Sequence, residues 1–284
     1  MLEFMDVPEL NDPVLIAAFE GWNDAGEAAT SAVRHLAEAW DAEVVAAFDP
    51  EDYYDFQVNR PRVLIEDGRR VLRWPTTRIL VATETGFGRD VVLVQGIEPS
   101  MRWRAFSLEL LELAQQLGVT TVVTVGALLA DVPHTRPIPV TATAEDEAVI
   151  HRFDVEASRY EGPTGIVGVL SHTAAEAGVP TLSAWAAVPH YAGGPPSPKA
   201  TLSLVRRIES LLGITVAHGE LEENAQAWER GVDELAQSDD EVAEYVKSLE
   251  EAQDTAELPE ASGDAIAREF ERYLRGRDDD HPTR

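Results

Sequence analysis

Apolar residues follow two rhythms along the chain. Val14-Leu15-Ile16-Ala17-Ala18-Phe19 is a continuous apolar run that stops at Glu20-Gly21-Trp22-Asn23-Asp24. After it, Ala25, Ala28, Ala29, Ala32, Val33, Leu36 and Trp40 recur at three- and four-residue steps. The first rhythm has the length and bounded ends of a buried strand, and the second has the period of an amphipathic helix. A strand, a tight polar turn and a helix are the opening of an open α/β sheet, in which ligands gather beyond the strand ends.

Further strands are predicted at Val44–Phe48, Ile79–Thr83, Val91–Gln95, Val140–Thr143 and Thr181–Val188, with the β-branched run Val119–Val125 as a central one. Arg62–Trp74 reads as a hairpin, because Asp67-Gly68 suits its left-handed turn. Helices are predicted from about Arg102 to Leu117, from Glu145 to Arg152 and from Lys199 to Leu212. Glu51–Asn59 reads as an acidic, aromatic loop, and Ile166–Leu170 as a strand leading into a helix over Ser171–Ala177. The alternation of strand and helix implies crossovers in a largely parallel mixed sheet, layered α-β-α.

Past residue 218 the pattern loses its strands. Leu221, Ala225, Trp228, Val232 and Leu235 mark one helical face; Val242, Tyr245, Val246 and Leu249 mark a second. Ile266, Phe270 and Leu274 mark a third, after a cap at Ser262. The division expected is an α/β core over 1–218 and an acidic helical extension over 219–284, packed on the core or on a neighbouring subunit.

Charge changes the picture of partners. The net charge is −28, and residues 219–284 carry half of it, with 21 Asp or Glu against 7 Lys or Arg. A field that negative disfavours nucleic acid and anionic lipid as partners and leaves a protein partner open. The absence of cysteine excludes disulfides and thiolate chemistry. Neither a signal peptide nor a membrane-length apolar run is visible, so a cytoplasmic protein with no membrane contact is expected.

Candidate chemistry collects at the predicted strand ends. Glu20, Trp22, Asn23 and Asp24 form the first turn, where Asn23 or Asp24 is expected to cap the following helix. Glu98, Arg102 and Trp103 follow another strand, and Arg102 is expected to meet Glu20, Asp24 or Asp131. Asp131, His134 and Arg136 lie beyond the central strand, and His190 follows a further one. Such groups serve acid–base chemistry or hold an anion when they share a cleft. No P-loop, dinucleotide fingerprint, nucleophile elbow or zinc motif is present, and no metal or cofactor is expected.

Several of these stretches together resemble the bacterial, actinobacterial-type branch of the proteasome assembly chaperone family. They are Gly21-Trp22-Asn23-Asp24-Ala25-Gly26, Gly96-Ile97-Glu98-Pro99, Gly126-Ala127-Leu128-Leu129-Ala130-Asp131-Val132-Pro133-His134-Thr135-Arg136-Pro137, Tyr160-Glu161-Gly162-Pro163-Thr164-Gly165 and Trp185-Ala186-Ala187-Val188-Pro189-His190-Tyr191. The resemblance implies a three-layer core like that of nucleoside phosphorylases and related hydrolases. It also implies a homo-oligomer, a trimer being slightly preferred, and no established catalytic residues. Proteasome subunits are the protein partners it suggests. Several docking proteins of this group use a hydrophobic-Tyr-any tail, whereas this sequence ends Asp280-His281-Pro282-Thr283-Arg284.

Two functions follow as expectations. The first is a non-enzymatic interaction factor, favoured by the missing catalytic signatures. The alternative is a binder or hydrolase/phosphorylase-like enzyme for a nucleoside or phosphometabolite, using the strand-end cleft.

Overall fold

Alternate residues of the first long apolar run point to opposite faces of one sheet, and each face is covered by helices. The computed structural model describes residues 9–83, 85–194 and 196–255, together with the backbone of a short strand β1 (Glu3–Phe4). On β2 (Val14–Glu20), Val14, Ile16 and Ala18 pack with α1 (Ala28–Ala39) and α6 (Pro198–Leu212). Leu15, Ala17 and Phe19 pack on the other side with α3 (Trp103–Gln116) and α5 (Ile166–Glu176). The period-two alternation of a strand thus becomes the expected α-β-α sandwich.

The remaining strands of this sheet are β3 (Glu43–Ala47), β6 (Thr77–Ala82), β7 (Val91–Ile97), β8 (Thr121–Ala130), β9 (Val140–Ala144), β10 (Glu156–Ala157) and β11 (Thr181–Pro189). Among the described residues the order is β1-β3-β6-β7-β2-β8-β11-β9-β10. The four middle strands, β7, β2, β8 and β11, are parallel, so their carboxyl ends share one edge. β6 and β9 flank them antiparallel, which makes the sheet mixed.

The hairpin expected over Arg62–Trp74 is β4 (Arg62–Glu66) and β5 (Arg69–Arg73), turning at Asp67-Gly68. Both turn residues have positive φ, 50° and 74°, as a two-residue turn of matching twist requires. The pair forms a sheet of its own and leaves side chains on both faces exposed.

Three expectations are corrected. Ile166–Leu170 is no strand but the first turns of α5. Its amide at Ile166 donates to Glu98, 68 residues earlier, and this long-range cap decides the helix against the β-branched composition. The acidic loop contains a short helix, α2 (Pro50–Tyr53), started by Asp49, whose side chain accepts from the Glu51 amide. The central strand runs on through Gly126–Ala130. The helix expected over Glu145–Arg152 is α4 (Glu147–Phe153), which follows β9.

Beyond residue 218, α7 (Leu221–Gln237) and α8 (Asp240–Thr255) fold back over the core of the same chain. Ala225, Val232, Ala236, Val246 and Leu249 are buried there. Leu235, expected on the inner face, is 53% exposed because Ala236 takes the inward position. The third predicted helix and its cap at Ser262 lie outside the described residues.

Candidate functional site

The β2–α1 turn is built to brace helices. Asp24 Oδ1 accepts from the amides of Ala29 (2.8 Å) and Thr30 (3.1 Å), while its other oxygen accepts from the Thr30 hydroxyl. Burial pushes the Asp24 carboxyl above the usual range, against the pull of those hydrogen bonds. Asn23 is not a cap. Its Nδ2 donates to Glu98 Oε1 at 2.8 Å, and the same oxygen accepts from Ile166 N at 2.9 Å. Glu98 therefore caps α5 and opposes its dipole. Gly165 sits so close that an added Cβ would lie 2.4 Å from Asn23 Oδ1 and 2.8 Å from Glu98 Oε1.

Arg102 and Trp103 stand apart from that cluster. Arg102 pairs with Asp52 at 2.7 Å and lies over the Tyr53 ring, rather than meeting Glu20, Asp24 or Asp131. Asp52 is within reach because α2 packs beside the start of α3, with the Ser100 amide donating to the Tyr53 carbonyl. Trp103 opens α3 and its indole N–H donates to the Pro99 carbonyl.

Asp131, His134, Arg136 and His190 form a second cluster, clamped under the two last described helices. His134 is 1% exposed, with Tyr191 Oη 2.7 Å from Nδ1 and Asp233 Oδ1 3.0 Å from Nε2. Arg136 holds Asp254 through Nη2 and Nε, at 2.9 and 3.2 Å, and reaches Glu250 at 3.4 Å. Its guanidinium lowers the Asp254 pKa. Asp131 accepts from the Tyr245 hydroxyl at 3.0 Å and lies 3.3 Å from His190 Nδ1. Lys199 completes the clamp by donating to Glu229 at 2.6 Å and to the His134 carbonyl. Burial pushes the Tyr191 hydroxyl up to about 12, so it stays protonated as this network requires.

The strand-end residues therefore separate into the turn, the α2–α3 contact and the clamp. Neither Arg102 nor Arg136 bonds to Glu20 or Asp24. Trp22 lines a cavity of about 710 Å³ with Tyr160, His172 and Trp185, beside β9 and α5. Among the described residues no group of three or more His, Asp or Glu is placed to hold a metal ion.

Glu20 faces a different opening. It borders a cleft of about 400 Å³ whose walls carry Arg34, Arg60, Arg62, Arg73 and Arg78. Arg73 pairs with Glu66, whereas the other four guanidinium groups have no hydrogen bond or ion pair among the described residues. Sequence reasoning missed these arginines because the cleft gathers them from α1 (Arg34), the stretch before β4 (Arg60), the hairpin (Arg62 and Arg73) and β6 (Arg78), which no local motif joins. The signal was present, since residues 60–78 hold six arginines against two acids in a chain of net charge −28.

Together, the sheet and its braced turns define a three-layer α/β protein whose strand-end polar groups mostly fasten its own helices. The chain belongs to the PAC2 family, whose model matches residues 18–236. It is 58% identical to a PAC2 family protein of Streptomyces avermitilis, covering 83% of this chain and 100% of that one with a TM-score of 0.78. It is 51% identical to a proteasome-assembly chaperone homologue of Mycobacterium tuberculosis, covering 82% of this chain and 99% of that one with a TM-score of 0.75. An archaeal homologue of proteasome-assembly chaperone from Pyrococcus furiosus shares the fold at 18% identity, with a TM-score of 0.59 over 89% of this chain and 100% of that one. No curated protein matches the chain.

Proposed function

We propose that this chain is a non-enzymatic protein-interaction factor with a proteasome-assembly-chaperone-like role, acting in the cytoplasm as a homo-oligomer on proteasome subunits. The observation that carries it is the 51% identity to the mycobacterial proteasome-assembly chaperone homologue over 99% of that protein. The site chemistry supports it. Asp24, Glu98, Asp131, His134 and Arg136, the groups an acid–base reaction would draw on, are spent on capping and clamping contacts. In this reading residues 1–218 are the core and 219–284 an extension that completes it.

The test is capture by the immobilised full chain of recombinant proteasome α-subunits, measured against assembled core particle. Retention of free α-subunits is the expected result. Equal recovery from the protein-bearing and bare resins would remove the reading.

A further inference from the structure

The connections leaving β2 and β7 part company at the carboxyl edge of the sheet. β2 runs into α1 on one face, and its neighbour β7 runs into α3 on the other, which leaves a crevice between the two strand ends. Open α/β sheets take their ligands in the crevice at such a point. The arginine-walled cleft of about 400 Å³ lies there, with Glu20 at the end of β2 and Gln95, Gly96 and Ile97 at the end of β7. β6 pairs antiparallel with β7, Arg78 opposite Gln95, so the start of β6 brings Arg78 to the same edge.

The cleft is basic in an acidic molecule. Its lining holds five arginines and one acid, a net of four positive charges, in a chain whose net charge is −28. Arg34, Arg60, Arg62 and Arg78 have no acceptor of their own among the described residues, and Arg73 is shared with Glu66. Guanidinium groups gathered round one opening repel one another, and an anion placed among them relieves those repulsions together.

Charge and shape identify the anion. Every basic group on the lining is an arginine, whose planar fork donates to two phosphate oxygens at once. One phosphate carries about −1.5 to −2 at neutral pH, so a single one leaves much of the cleft's charge unmatched. Two or three linked phosphates match it. An extended acidic peptide spreads its charges along a line at about 3.3 Å a residue, whereas these arginines converge on one opening from separate elements. A long nucleic-acid backbone meets the repulsive field of the rest of the chain.

We propose that the β2–β7 crevice binds a di- or triphosphate group, held chiefly by Arg34, Arg60, Arg62 and Arg78. Glu20, the one acid on the lining, opposes the charge of the ligand and limits its affinity. Two sources carry this group, an inorganic polyphosphate and a nucleotide. Trp74 on the lining, 41% exposed, offers a nucleotide base a surface to stack on. The inference goes beyond the interaction role and stands whether or not that role does.

Isothermal titration calorimetry of the full chain with orthophosphate, pyrophosphate, tripolyphosphate and ADP tests it. Pyrophosphate and tripolyphosphate should bind one per chain, at least about 10-fold tighter than orthophosphate, and weaken as salt is raised. Arg34→Gln with Arg78→Gln should cost about 100-fold in affinity. Arg69→Gln with Arg70→Gln removes the same charge from hairpin positions off the lining and should leave binding unchanged. All four side chains are exposed, so both double variants should melt like the wild type. Glu20→Gln should tighten binding. ADP that binds about 10-fold tighter than pyrophosphate, and loses that gain in Trp74→Ala, assigns the group to a nucleotide; equal affinities assign it to the inorganic form. The inference is overturned by an absence of heat with every polyphosphate at millimolar concentration. Equal losses from the two arginine pairs overturn it too, as does tighter binding of a polyglutamate peptide than of tripolyphosphate.

Discussion

The clamp and the hairpin use similar residues to opposite ends. In the clamp, Arg136, His134 and Lys199 each meet an acidic side chain of α7 or α8, and the loop between β8 and β9 lies beneath those helices. In the hairpin, arginines of the same chemistry stand in water with apolar neighbours beside them. Charge in the first region is internal fastening, and charge in the second, apart from the Arg73–Glu66 pair, is unspent. A polar residue at a strand end is therefore a poor guide to ligand chemistry until its partners are known. An unpaired one on a projecting arm is the better guide.

The contrast can be broken by stability measurements, which should respond strongly to the fastened groups and weakly to the arm. Gly165→Ala inserts a methyl against Asn23 and Glu98 and should lower unfolding free energy by about 3 kcal/mol in urea titration. His134→Ala leaves Asp233 and Tyr191 without their buried partner and should lower it by about 2–3 kcal/mol. Asp24→Ala frees two amides and the Thr30 hydroxyl, for a loss of about 2 kcal/mol. Ile65→Ser on the hairpin should stay within about 0.5 kcal/mol of wild type. Were Ile65→Ser to unfold the chain as readily as His134→Ala, the hairpin would be core and the contrast would vanish.

Protons sharpen the same comparison at the junction of α6 and α7. Burial lowers the His218 pKa, but hydrogen bonds to Glu209 and Glu222, at 3.0 and 3.1 Å, raise it above its usual 6.5 overall. A raised folded pKa means that the stabilisation is full below about 6.5 and fades as pH rises through the folded value. Melting temperature should therefore decline over that window, and His218→Gln should flatten the decline. A profile identical in both proteins would assign the slope to other groups.

How much of this was legible depended on the distance between partners in sequence. The β2–α1 turn could be read because Asp24 caps amides five and six residues ahead. The hairpin could be read because Asp67-Gly68 sets its turn locally. The clamp could not, since Asp233, Glu250 and Asp254 reach His134 and Arg136 from about a hundred positions away. For α5 the local signal pointed the wrong way. Ile166-Val167-Gly168-Val169 looks like a strand, and the carboxylate that caps it as a helix belongs to the segment just after β7.

The place of β2 in the sheet bears on how the chain is made. Its neighbours are β7 and β8, so Val14 pairs with Val91 and Thr121. An emerging polypeptide has exposed Val14–Phe19 long before either neighbour exists. At ordinary translation speeds the interval before Val91 is synthesised is on the order of 4–15 s. The run is apolar throughout and carries no charge until Glu20, which is the composition that sticks to other nascent chains. Val14–Phe19 therefore stays without its pairing partners through that interval, and the sheet can close around β2 only once β8 has also been made.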